Sequence, residues 1–164
     1  MERADRPGLV AAAVALALGA ASAAMTAFWA LGGTALLDTV GGEIERWGRQ
    51  RSTGVLITLW VLVAAKLVAA AAPLVLIGAW RGLPSWMRSS PARALGWVIG
   101  VGLLAYGGLL TVGGLLVQAD VIAAADDADE RALAWHTYFW DPWFLLWGTA
   151  FTVALWRSRG RRPR

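Results

Sequence analysis

Three apolar runs, each longer than 20 residues, leave almost no soluble fold open to this chain. They extend from Gly8 to about Leu31, from Gly54 to Trp80 and from Ala94 to Gln118. A helix needs about 20 predominantly apolar residues to cross a hydrocarbon core of about 30 Å, so each run predicts a spanning helix. A fourth run ends at Trp156. Counted from Pro142 it would be only about 22 Å long, which is short for that core and predicts a start further back, near Leu133 to Tyr138. The expected spans are therefore about 8–31, 54–80, 94–118 and 136–156. The fold class is all-α: a polytopic membrane protein, a four-transmembrane-helix bundle forming one domain over residues 1–164.

Composition agrees with that class and removes several chemistries. Hydrophobic residues make up 58% of the chain and tryptophan occurs eleven times, more than an ordinary soluble domain of 164 residues carries. There is no cysteine. That excludes disulfides, thiolate nucleophiles and cysteine metal sites. His136 is the single histidine, which removes bis-histidine haem and most multi-histidine metal sites. No catalytic residue, cofactor or metal is expected.

The charge of +4 does not point to nucleic acid, because the basic residues sit in short blocks beside the apolar runs, where they act as topology signals. The N-terminal tail, the second loop (Arg81, Arg88, Arg93) and the C-terminal tail hold ten arginines, against four (Arg46, Arg49, Arg51, Arg131) in the first and third loops. Both termini are expected in the cytoplasm. The third, outer loop carries Asp120, Asp126, Asp127, Asp129 and Glu130, an acidic face. Fourteen arginines against one lysine, with abundant Ala and Gly, suggest a genome rich in G and C and a bacterial plasma membrane. The first apolar run exceeds the 7–15 residues of a secretory h-region and reads as an uncleaved helix. In the first outer loop, Leu37, Val40, Ile44 and Trp47 fall at helical spacing, which predicts a short amphipathic helix on the outer surface, weakened by Gly41 and Gly42.

Lys66 is the most informative polar residue, since a charge inside a span costs about 2.5–3.5 kcal/mol even on insertion scales and needs a partner. Taking Trp80 and Trp156 as inner anchors, Lys66 and Asp141 lie at nearly equal depth, which predicts an ion pair between them. The same count reaches Tyr106, Gly107, Gly108 and Thr111 on the third helix and Ser22 and Thr26 on the first. A polar layer in the outer half follows: Lys66, Asp141, His136, Asp38, Tyr106 and Thr111 as candidate ligand-binding residues, with the lysine ammonium directed outward. The alternative is a buried pair that fixes helix register, or a lysine that snorkels to the interface. Asp141-Pro142 also matches an N-cap followed by a first helical proline, which would start the fourth helix at Pro142 and leave Asp141 in the interface. Pro73 predicts a kink below Lys66. The run from Trp135 to Trp143 reads first as an aromatic belt. Gly100, Gly107 and Gly114, with Gly96 one turn earlier, give the third helix a smooth face suited to packing within the bundle.

Two stretches carry a family resemblance: Phe28-Trp29-Ala30-Leu31-Gly32-Gly33 followed by Asp38, Gly41 and Gly42, and Trp140-Asp141-Pro142-Trp143-Phe144-Leu145-Leu146-Trp147-Gly148. They resemble small bacterial four-span membrane proteins grouped as domain-of-unknown-function family 3995. The resemblance implies the four-helix layout and that Trp29, Gly32, Gly33, Asp38, Asp141 and Pro142 belong to the family pattern; it implies no activity. The reading that asks least of the residues is a binding or accessory membrane protein with a polar pocket in the outer half of the bundle. A small transporter or ion-coupled carrier, or an intramembrane enzyme acting on a lipid-like substrate through Lys66, His136 and Asp141, are the alternatives. Membrane lipids are the expected partners, with a homo-oligomer and an unidentified small-molecule ligand left open and nucleic acid not expected.

Overall fold

Small residues line the buried faces of two of the long helices of this protein, which can approach their neighbours closely as a result. The computed structural model describes residues 6–80, 82–125 and 129–159. Arg3, Arg81, Asp126, Asp127 and the arginines from Arg161 onward lie outside them. Among the described residues every regular element is helical: α1 (Arg6–Ala30), α2 (Gly42–Gln50), α3 (Thr53–Leu76), α4 (Ser90–Gln118), α5 (Glu130–Trp135) and α6 (Asp141–Arg157). Three of them, α1, α3 and α4, are long and apolar enough to cross a membrane. The 17 residues of α6 are preceded, without a break, by a π turn over His136–Trp140 and by α5. Helical backbone therefore runs from Glu130 to Arg157, earlier than position 136. Its start is fixed by Asp129, whose side chain accepts hydrogen bonds from the amides of Arg131 and Ala132.

Two sequence expectations change here. The helix expected to reach Trp80 ends at Leu76, because Gly78 adopts φ +75° and the left-handed conformation stops the helix. The amphipathic outer segment is divided: Leu37–Thr39 forms a 3₁₀ turn with Leu37 buried, and α2 begins afresh beyond Gly41 and Gly42, both at positive φ. Ile44 and Trp47 remain exposed along α2.

Two arginines show how the helices run. Arg51, just before α3, donates to the carbonyls of Trp29 and Ala30 at the end of α1. Arg93, near the start of α4, donates to the carbonyl of Leu76 at the end of α3 and to the hydroxyl of Ser158 just after α6. The long helices thus alternate in direction, with α2 and α5 at one end, called here the loop-rich end. In cross-section α6 lies between α1 and α4, and α3 packs mainly on α1.

The buried side of α1 is Gly8, Ala12, Ala15, Gly19, Ala23, Thr26 and Ala30. That of α4 is Gly96, Gly100 and Gly107. Large apolar side chains such as Val14, Leu31, Val61, Val68, Val98 and Leu109 face outward. Water would favour the reverse arrangement; an apolar surround leaves van der Waals contact to hold the helices together, and small residues maximise it. The glycine face of α4 is occupied by α6 and the π turn, with Gly107 against the backbone of Asp141 and Leu145, Gly114 against Thr137 and Gly100 against Phe151. In return Gly148 meets the backbone of Leu103 and Leu104.

A methyl group at Gly107 or Gly148 would push two backbones apart. Gly107→Ala and Gly148→Ala should each cost about 1–3 kcal/mol of stability, the usual range for overpacking. Gly102 and Gly113 have open space around the same methyl, so Gly102→Ala and Gly113→Ala should be neutral or slightly stabilising. Thermal unfolding of the four variants in one detergent checks the contrast.

Candidate functional site

Asp141 sets the geometry of the loop-rich end. Its residue is 4% exposed, so its carboxylate must find a donor inside the protein. The donor is His136, whose Nδ1 lies 3.2 Å from Oδ1 of Asp141. On an α-helix neighbours are three or four residues apart, and positions 136 and 141 would diverge. The π turn closes the gap, since its i to i+5 bonding ties the amide of Asp141 to the carbonyl of His136 and brings both side chains to one face. Pro142 supplies a reason for the wider turn: its ring would clash with the carbonyl of Tyr138 in a regular α-helix, and it has no amide to bond there.

The other ring nitrogen of His136, Nε2, lies 3.2 Å from the carbonyl oxygen of Val40. That carbonyl can only accept, so Nε2 carries a proton and donates it. Nδ1 then faces the Asp141 carboxyl group across 3.2 Å. The same loop is held a second time by Trp140, whose indole Nε1 donates to the hydroxyl of the fully buried Thr39 at 3.1 Å, while that hydroxyl donates to the carbonyl of Leu36. Gly41 follows at φ +67°, and a side chain there would collide with Ala132.

The expected ion pair between Lys66 and Asp141 does not form. Asp141 is engaged by His136, and the Lys66 ammonium instead donates to the hydroxyl of Thr26 at 2.8 Å. Thr26 is buried and passes its own proton to the carbonyl of Ser22. The depth count failed because α3 ends at Leu76, not at Trp80. Contact of Gly19 with Ala70 sets the register of α1 against α3 and puts Lys66 level with Ala23. Its Nζ reaches Thr26, three residues nearer the loop-rich end, as the lean of side chains toward a helix N-terminus requires. The ammonium also lies over the ring of Phe144, 5.8 Å from its centroid.

The N-cap alternative for Asp141 is also overturned. The residue has helical backbone angles inside a continuous helix, and its side chain caps nothing.

The remaining candidates separate. Asp38 is on the surface, paired with Arg131 at 2.9 Å. Tyr106 lies half-exposed on α4, edge-on to Phe144 with centroids 5.4 Å apart. The Thr111 hydroxyl is buried without a partner, and so is the indole Nε1 of Trp147. Thr39, the Val40 carbonyl and Phe144 were not foreseen, and nothing in the sequence marks a backbone carbonyl as a ligand. Among the described residues no group of three metal-ligating side chains comes together. The site is therefore two units: a His136–Asp141 pair that fastens a loop, and an ammonium bonded to Thr26 above an aromatic ring.

Double-mutant cycles should distinguish these units. Replacing His136 by Leu and Asp141 by Leu, singly and together, should show a coupling of about 1 kcal/mol or more, because each single change leaves a buried partner unsatisfied. Lys66→Met and Asp141→Asn should add to within about 0.5 kcal/mol, as independent sites do. Coupling in the second cycle comparable to the first would restore the ion pair.

A family model described as a protein of unknown function (DUF3995) matches residues 19–151, a stretch that includes every residue of both units. No curated protein and no solved structure is similar enough to match the chain.

Proposed function

We propose that this chain, which belongs to the DUF3995 family, is a four-span protein of a bacterial plasma membrane that binds a ligand or partner instead of turning over a substrate. The observation that carries the membrane reading is the packing of α1 and α4: small residues on their buried faces, valine and leucine on their exposed ones. The fourth span would be the continuous helix from Glu130 to Arg157, which at 1.5 Å per residue extends about 40 Å and exceeds the core that α6 alone would fall short of. Both termini would be cytoplasmic and the loop-rich end outside. The arginine bias supports this orientation. At the loop-rich end Arg46, Arg49 and Arg131 are each paired with an acidic side chain, and Arg51 serves the carbonyls of α1. α2 would lie in the outer interface with Ile44 and Trp47 toward lipid.

Binding is favoured over turnover by how the polar groups are used. Asp141 and His136 satisfy each other and a loop carbonyl, which leaves no base directed at a reacting atom. Lys66, mid-way along α3, donates to Thr26 and pairs with no acidic side chain among the described residues.

The absence of cysteine makes the topology directly testable. Single-cysteine variants Glu43→Cys and Ser85→Cys should differ in intact cells: a membrane-impermeant maleimide should label the first, and reach the second only after permeabilisation. The opposite pattern would reverse the orientation, and release of the chain from membranes by alkaline carbonate would end the integral-membrane reading.

A further inference from the structure

Lys66 has an ammonium with three donors, and one of them is used by Thr26. No acidic side chain pairs with it among the described residues. Asp141, the one acid in α6, is engaged by His136. A charge in a candidate span with no ion-pair partner among the described residues calls for one from outside the protein.

The surroundings say from where. Phe144 is partly exposed, and its ring meets both the Lys66 ammonium of α3 and the Tyr106 ring of α4. The contact of α3 with α4 through Leu76, Gly96 and Arg93 lies at the opposite end of the protein. Toward the loop-rich end the ring of Phe144 meets both Lys66 of α3 and Tyr106 of α4. Exposed apolar side chains continue along both helices: Leu62 and Val61 one turn from Lys66, Leu109 and Leu110 next to Tyr106. The ammonium itself is level with Thr26, four residues or about 6 Å from the end of α1. The snorkelling direction of the lysine is toward that end.

We infer that the surface of α3 and α4 around Phe144 holds an anionic lipid, its phosphate on Lys66 with Tyr106 as a second donor and its acyl chains along the exposed valines and leucines. This deepens the binding reading above and rests on it. A phosphate offers several acceptors to the two free ammonium donors, and a charge-assisted hydrogen bond of this kind is roughly twice as strong as a neutral one. These exposed apolar side chains favour a ligand that arrives through the bilayer over one that arrives from water.

The test is native mass spectrometry of the full chain from mild detergent after incubation with phosphatidylglycerol, with phosphatidylcholine, or with inorganic phosphate. The expected result is retention of phosphatidylglycerol over phosphatidylcholine, with the preference falling about tenfold or more in Lys66→Met and persisting in Lys66→Arg. Tyr106→Phe, which keeps the ring contact with Phe144, should weaken retention less. Matching melting temperatures and helical circular dichroism of the variants show that folding is not the cause. Equal retention of both lipids, or a preference that survives Lys66→Met, would overturn the inference. Protection by free phosphate equal to that by phosphatidylglycerol would overturn the lipid as its source. Failure of this test in a chain that resists extraction by alkaline carbonate removes the lipid site alone; release of the chain by carbonate removes both readings.

Discussion

The loop-rich end of this protein is organised by one requirement, that a carboxylate shut away from solvent must be given hydrogen-bond donors. Asp141 is 4% exposed, and meeting its need with His136 demands the π turn, because no α-helical spacing would bring positions 136 and 141 together. The histidine so placed has its second nitrogen directed at Val40, and this ties the connection after α1 to the helix that precedes α6. The same pairing engages Asp141 with His136, and no acidic side chain among the described residues pairs with Lys66. A local electrostatic demand in one helix therefore fixes a loop, and leaves the cation of another helix to a neutral hydroxyl.

The pair can occupy this position because α6 is held closely on both flanks. Gly107 and Gly148 let α4 and α6 meet backbone to backbone, and Gly19 accepts the edge of Trp147 from the other side. In an apolar surround there is no hydrophobic gain from bringing helices together, so contact of this kind is what remains to do it. The cost is a lack of space in the interior. Trp147 fills the gap left by Gly19 and Ala70 so tightly that its indole nitrogen finds no acceptor.

Much of this was legible in the sequence, and the parts that were not share a cause. Apolar run length located α1, α3 and α4 because the hydrocarbon core imposes a length that composition must satisfy. The glycine period of seven located the face of α4 that meets α6, since a missing side chain is itself the contact. The direction in which Lys66 points followed from the general lean of side chains, and Thr26 belonged to the polar layer that the count reached. The partner of Lys66 did not follow. Depth was measured from Trp80, and a tryptophan marks an interface, not a helix end; the end is set by Gly78, two residues before it. Asp141 was read as either a cap or an ion-pair partner, because both are α-helical roles. The π turn is a third role that arises from Pro142 one position later, and the spacing His136 to Asp141 becomes a contact only once the turn is known to be wide.

The distribution of fastenings along the helices explains why the assigned ligand lies at Lys66. Near the loop-rich end Arg51 joins the start of α3 to the end of α1, and His136 and Trp140 join the following loop to the helix that leads into α6. At the opposite end Arg93 joins α4 to the ends of α3 and α6 together. Each of these uses a charged or polar side chain to satisfy carbonyls or hydroxyls at helix termini, where backbone groups lack intrahelical partners. Between the two ends, among the described residues, α3 has such a bond only toward α1, through Lys66 and Thr26. On the side of α4 the contact near Lys66 is made by a ring instead: Phe144 of α6 meets both the ammonium and Tyr106. A charge held by one neutral hydroxyl and the face of a ring keeps donors to spare, which is why Lys66 and not Arg51 or Arg93 is the cation to which a ligand is assigned.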